Sequence, residues 1–164
     1  MNNTTSKRIA FVELTHIFSN QIKLPYSTGC IWSYCRTDKE ITDNYSFDVN
    51  DWVYVLDGDF DYSATASRLA ECDIIATSYF VWNEHASDRL CAEIKKINPN
   101  CLIIYGGLNL PHPNRCKKFL KDKPFIDIAV HNEGETGFKH ILKALLHDQD
   151  LSMVKGITTP LFQN

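Results

Sequence analysis

The 164-residue chain carries 17 basic against 20 acidic residues, a net charge of -3, and 44% apolar residues with only 7 Gly and 6 Pro. That length suits one domain burying roughly 70% of its unfolded surface, and the composition excludes disorder, collagen-like repeats and coiled coil. No Lys/Arg run builds a basic face, so the expected partner is a small molecule or another protein rather than nucleic acid or an anionic membrane.

Residues 1–7 form a polar leader, expected to be disordered, without the basic and apolar regions of a secretory signal. Residues 9–14 (IAFVEL) open a first strand, and a helix is expected over 28–35. Residues 36–51 read as a polar connection, with Asp38, Glu40, Asp43 and Asp48, long enough to be an irregular or covering segment. Strands follow at 52–56 (WVYVL), 73–77 (DIIAT), 101–105 (CLIIY) and 126–130 (IDIAV), all short β-branched apolar runs of the kind buried on both faces. Helices are expected at 61–70, 83–97, 113–120 and 135–147. The 83–97 segment carries an Ala86, Leu90, Ile94, Ile97 stripe, with Asn83 as N-cap and Asn98-Pro99-Asn100 as terminator.

Strands alternating with helices imply right-handed crossovers and an α/β, flavodoxin-like (Rossmann-like), doubly wound five-stranded parallel sheet of order 2-1-3-4-5. Residues 8–148 would form this domain, and 149–164 a linker or edge segment towards a missing C-terminal domain. The most apolar stretch, 72–82, is interrupted by Asp73, Thr77 and Ser78 and is far shorter than the roughly 20 residues of a spanning helix. Six cysteines, Cys30, Cys35, Cys72, Cys91, Cys101 and Cys116, lie in apolar contexts and suit buried thiols in a reducing compartment, so the expected location is the cytoplasm.

In such a sheet ligands bind beyond the strand carboxyl ends. Three segments there stand out: Ser78-Tyr79-Phe80-Val81-Trp82-Asn83, Gly106-Gly107-Leu108-Asn109 and His131-Asn132-Glu133-Gly134-Glu135. The paired glycines fit a flat ligand approaching the backbone, or simply a tight turn. The aromatic run suits ligand contact or helix–sheet core. Glu133 and Glu135 suit hydrogen-bond donors of a ligand, or merely favour the dipole of the helix that follows. The chain contains no GxGxxG, GxxxxGK[ST], GxSxG or HExxH run, and Asp57-Gly58-Asp59 opens a calcium-loop pattern that fails at Tyr62 and Arg68.

The sequence resembles the cobalamin-binding domain of cobalamin-dependent radical SAM enzymes. The likeness is carried by residues 8–14, the segment Leu24-Pro25-Tyr26-Ser27-Thr28-Gly29-Cys30-Ile31-Trp32-Ser33-Tyr34, SYFVWN at 78–83, NPNCLIIYGG at 98–107 and PFIDIAVHNEGE at 124–135. The resemblance implies a corrin over the sheet's carboxyl edge and a nucleotide tail descending between strands. Ser78, Tyr79, Phe80, Val81, Trp82 and Asn83 would contact tail and corrin, and Gly106, Gly107 and Leu108 would underlie it. Glu133, Gly134 and Glu135 would border it, with Leu24, Pro25, Tyr26 and Gly29 near the rim.

The DxHxxG motif that supplies a cobalt-ligating histidine in many cobalamin domains is missing, because the stretch here reads Glu13-Leu14-Thr15-His16-Ile17-Phe18-Ser19. The resemblance therefore implies base-off, His-off binding with the lower metal face left to an apolar or aromatic side chain, for which Phe80 or Trp82 is placed, or to water, and no catalytic or metal-ligating residue in this chain. It also implies a parent methyltransferase whose C-terminal radical SAM domain holds the [4Fe-4S] cluster and S-adenosylmethionine. The alternative is a flavodoxin-like ligand-sensing or protein-docking domain that does not bind cobalamin.

Overall fold

The computed structural model describes residues 6–17, 19, 21–22, 26–48, 52–56 and 58–160. In chain order the described elements are β1 (Lys7–Thr15), α1 (Tyr26–Cys35), α2 (Lys39–Asn44), β2 (Tyr45–Asp48), β3 (Val53–Val55), α3 (Tyr62–Leu69) and β4 (Ile74–Ser78). They continue with α4 (Glu84–Ile97), β5 (Leu102–Gly106), α5 (Pro113–Asp122), β6 (Ile128–Val130), α6 (Gly134–Leu146), a 3-10 turn at Leu151–Met153 and β7 (Ile157–Thr158).

The fold is the α/β, doubly wound type read from the sequence, with two additions to its sheet. Strand order is β2-β1-β4-β5-β6-β7, with β3 also paired to β1. The expected second strand, 52–56, is β3, and β2 is an added strand before it. β2 pairs with the first half of β1 (Lys7↔Tyr45 to Ala10↔Asp48) and β3 with the second half (Glu13↔Val53 to Thr15↔Val55). Within 36–51, the expected irregular connection holds α2 and β2, both too short and polar to announce themselves by periodicity. The second addition, β7, runs antiparallel to β6, and β1 already begins at Lys7.

The strands read as apolar runs because both faces are covered. Ala10, Val12, Leu14, Ile75, Ile103 and Tyr105 face one core with Leu69 of α3, Leu90 and Ile94 of α4 and Leu120 of α5. The alternate residues Ile9, Phe11, Ile74, Ile104, Ile128 and Val130 face a second core with Cys35, Ile41 of α2 and Phe138, Ile141 and Leu142 of α6. Period-two alternation across a doubly covered sheet leaves no polar face to see in sequence. The connections leaving β1 pass over the second face and those flanking β4 over the first, so a crevice opens at the carboxyl ends of β1 and β4.

Polar bonds fix the strand starts. Asp73 Oδ2 accepts from the Arg8 N–H at 2.7 Å, and Asp127 Oδ2 accepts from the Ile103 N–H at 2.7 Å while meeting Lys95 Nζ at 2.8 Å. Asp38 caps α2 through the Glu40 N–H and draws α6 onto it, with Lys143 Nζ at 2.9 Å and Lys139 Nζ at 3.1 Å.

Hydrogen bonds from Lys143 and Lys139 hold the Asp38 carboxyl down at about 2, against 3.8 for an ordinary aspartate. A depressed acid stabilises the fold above its unfolded pKa and loses that contribution as pH falls through its folded value. Asp38→Asn keeps the cap and removes the charge. The melting-temperature gap between wild type and this variant should be full at neutral pH and close between pH 3.8 and about 2; a gap that persists at pH 2 would show that the ion pairs are not its source.

Candidate functional site

At the carboxyl edge the second core does not close. Phe11, Ala76, Ile104 and Val130 form the floor of a slot whose roof is Thr28 and Ile31 of α1 with Gly134 and Phe138 of α6, enclosing about 360 Å³. That volume lies within the usual range for a small-molecule pocket. Its inner end is sealed by aromatic packing: Phe11 lies 5.6 Å from Phe138, 5.9 Å from Phe47 and 5.9 Å from Trp52 between ring centroids. Ser27, Thr77, Ser78, Phe80, Gly106, Gly107, Leu108, Asn132, Glu133 and Glu135 complete the lining.

The helices α1 and α6 meet over the slot. A Cβ on Gly134 would stand 2.9 Å from Ile31 Cδ1, so glycine lets α6 start this close to α1 without displacing the end of that side chain. A Cβ on Gly106, by contrast, would meet nothing within 4 Å. Gly106 ends β5 on the slot face, two residues beyond Ile104, and its missing side chain is part of the open space. Gly107 does a different job. Its φ is +125°, and a Cβ there would sit 2.6 Å from the Tyr79 carbonyl oxygen. This close approach locks the turn after β5 against the turn after β4, where Tyr79 N–H donates to Gly106 O at 2.6 Å and Asn109 N–H to Tyr79 O at 3.1 Å.

Ser78, Phe80, Gly106, Gly107, Leu108, Glu133, Gly134 and Glu135 are brought together as the sequence suggested. The block 78–83, however, does not act as one. Tyr79 points to the first core, 3% exposed, against Tyr105 and Phe119. Asn83 is 1% exposed and fully engaged: Nδ2 donates to Leu14 O at 3.1 Å and Ser78 Oγ at 3.0 Å, and Oδ1 accepts from the Phe80 N–H at 2.8 Å. It precedes α4 without capping it through its side chain. Val81 and Trp82 line a second, more polar hollow with His16, Leu56, Tyr62 and Arg89. Trp82 nevertheless stacks on Phe80 (4.6 Å, 13°), so the two hollows share an aromatic wall.

Of the expected rim, Tyr26 and Gly29 lie on α1 outside the slot lining, which Ser27, Thr28 and Ile31 take instead. Leu24 and Pro25 fall outside the described residues. The floor residues Phe11, Ala76, Ile104 and Val130 were not singled out, because in a two-sided strand a slot-facing apolar residue looks like any core residue. Glu13 was also missed: on the slot face of β1 beside Ser78, it is 7% exposed, and burial raises its pKa while the Ser78 hydroxyl works the other way.

Gly107→Ala should destabilise the fold by about 1–3 kcal/mol, because both its φ and the Tyr79 carbonyl oppose a side chain. Urea unfolding of the variant reads this, and a wild-type midpoint would mean the interlocked turns carry no strain.

No family model matches the chain. The chain is 31% identical over 137 residues to the 2-(S-pantetheinyl)-carbapenam-3-carboxylate methyltransferase of Streptantibioticus cattleyicolor. It is 30% identical over 137 residues to the cobalamin-dependent radical SAM methyltransferase TokK of Streptomyces tokunonensis. Each match covers 82% of this chain and 19% of the relative, so the chain spans about a fifth of the length of these curated relatives. Among solved structures, the cobalamin-dependent S-adenosylmethionine radical enzyme OxsB in its apo form superposes with a TM-score of 0.68 at 20% identity, over 95% of this chain and 21% of that one. The radical S-adenosylmethionine methyltransferase TsrM of Kitasatospora setae, solved with cobalamin and a [4Fe-4S] cluster bound, gives 0.63 at 14% identity over 94% and 29%. These superpositions establish the fold.

Proposed function

We propose that this chain, a sequence relative of cobalamin-dependent radical SAM methyltransferases, is a cobalamin-binding module in which the slot takes the nucleotide tail and the rim above it carries the corrin. The observation that carries this reading is the slot itself: a deep, mostly apolar space at the switch point of the sheet, entered past Gly106, where a Cβ would find only open room. The slot can enclose an aromatic base on a sugar but not a tetrapyrrole, so the large disc must rest outside.

The rim suits such a disc. Leu108 is 93% exposed at the slot mouth, and Val81 (73%) and Trp82 (47%) are bare at the second hollow, joined to the slot through the Phe80–Trp82 stack. Phe80 and Trp82 present stacked rings there, and Tyr26 and Gly29 stand on the near turn of α1. Glu133 and Glu135 offer acceptors to amide groups at the margin, beside the first N–H groups of α6. Ser78 places a hydroxyl at the entrance where a tail nitrogen would pass.

Bound cobalamin would supply a cobalt centre able to carry a methyl group. This chain's residues hold and orient it, keep water from the tail and leave the lower metal face without a histidine. His16 lines the second hollow with Nδ1 3.1 Å from Leu56 O, and His131 is buried with Nε2 2.8 Å from Thr158 Oγ1. In this reading binding is base-off, because the slot holds the tail, and His-off. The parent protein is a methyltransferase whose radical SAM domain supplies the [4Fe-4S] cluster and S-adenosylmethionine and covers the exposed rim. Its compartment is the cytoplasm. No helix of the described residues is long and apolar enough to cross a bilayer.

Equilibrium dialysis with hydroxocobalamin should show binding accompanied by a base-off corrin spectrum. Gly106→Leu should fold normally, since nothing obstructs its side chain, and bind at least about tenfold more weakly, because the branched chain enters the slot. Binding of flavin or a nucleotide with none of hydroxocobalamin would replace this reading with a ligand-sensing domain.

A further inference from the structure

Thr28 is buried where nothing in the protein answers it. It lies in the first turn of α1, on the same inward face as Cys35 two turns on, and is 6% exposed. Two buried polar side chains line the slot, Thr28 and Thr77, and Thr77 is already spent, its Oγ1 donating to Val12 O at 2.9 Å. The Thr28 hydroxyl makes no hydrogen bond among the described residues. A buried hydroxyl without a partner costs free energy that valine, of the same branched shape, would not. The position makes sense if the partner arrives with a ligand.

The place of Thr28 along the roof says which part of the ligand that is. Ile31, one turn further into α1, packs on Gly134 at the start of α6, and Phe138, one turn further along α6, closes on Phe11 at 5.6 Å. Thr28 thus stands a turn nearer the carboxyl edge than Ile31 and short of the aromatic seal. The inner end, between Phe11, Phe138, Ile104 and Val130, holds no polar side chain and suits a flat apolar base. A phosphate finds no support further out, because the lining carries Glu133 and Glu135 and no Lys, Arg or His. Between a buried base and an excluded phosphate lies the sugar, neutral and bearing hydroxyls.

We infer that Thr28 is a binding residue of the slot: its hydroxyl bonds to a ribose hydroxyl of the tail, fixing how deep the nucleoside enters and leaving the phosphate outside. This rests on the cobalamin reading and deepens it, dividing the slot into an apolar inner end for the base and a sugar-reading group in the roof. A hydroxyl both gives and accepts, so the pair forms whichever of the two supplies the proton.

Thr28→Val keeps the shape and removes the hydroxyl, while Thr28→Ser keeps the hydroxyl. Hydroxocobalamin carries the nucleoside, and cobinamide lacks it. In equilibrium dialysis against the 164-residue chain, Thr28→Val should bind hydroxocobalamin about fivefold more weakly and cobinamide as wild type does, with Thr28→Ser within about twofold for both. Of two hydroxocobalamin analogues, each lacking one of the free ribose hydroxyls, one should lose the same factor against wild type and nothing more against Thr28→Val. The urea midpoint of Thr28→Val should equal or exceed that of wild type, so that the lost affinity is not a lost fold.

Undiminished hydroxocobalamin affinity in Thr28→Val, equal weakening of cobinamide, a Thr28→Ser as weak as Thr28→Val, or losses that add for both analogues would each overturn the sugar contact while leaving the cofactor reading intact. A wild type that ignores hydroxocobalamin overturns the cofactor reading and this inference with it.

Discussion

The slot depends on where two helices touch. α1 and α6 lean on each other at the Gly134–Ile31 approach, where a Cβ would come 2.9 Å from Ile31 Cδ1 and the end of that side chain would have to give. Phe138 of α6 both roofs the cavity and packs against Phe11. A second tight contact, between the Gly137 position and Val130 Cγ1, anchors the same helix to the last parallel strand. Close packing makes such an arrangement stiff. The opening is therefore a property of two glycines and two aromatic rings, with the polar rim added around it.

A seam of polar groups runs along this edge within an otherwise dry interior. Thr77 Oγ1 donates to Val12 O at 2.9 Å, Asn83 ties Leu14 O to Ser78 and Phe80, and Glu13 stands beside them. Two of these bonds, Thr77 to Val12 O and Asn83 to Leu14 O, cross from β4 or its following turn to β1, so the seam stitches the two strands at the point where the crossovers diverge. Satisfied polar networks of this kind fix one arrangement among the many that hydrophobic contact alone would permit. The same seam holds Ser78, which lines the cavity as well.

Much of the architecture was legible because it rests on short apolar runs. β1, β4, β5 and β6 coincide with IAFVEL, DIIAT, CLIIY and IDIAV to within two residues, and α4 turns Ala86, Leu90 and Ile94 of its stripe inward while Ile97, at its end, is exposed. β2 was not legible: Tyr45–Asp48 becomes a strand by pairing with Lys7–Ala10, a tertiary cause that leaves no local pattern. Within the site, post-strand position pointed to Ser78, Phe80, Gly106 and Glu133. It misplaced Tyr79 and Asn83, because neighbouring residues leaving a strand face opposite sides and only every second one reaches a given cavity. Glu13 sat in plain view as the single acid inside the first apolar run, and its charge was the available signal.

The antiparallel β7 gives the sheet an asymmetry with consequences for assembly. The His131 amide donates to Gly156 O at 2.8 Å and the His131 ring meets Thr158, so the backbone beyond β6 is already paired on its outer side. A two-residue strand offers an incoming chain almost no ladder to extend. Edge-to-edge fusion of two such sheets is blocked there, and a neighbouring domain must seat itself by surface fit on helices or rim instead of zipping onto the backbone, a docking that can loosen and re-form without unravelling a strand.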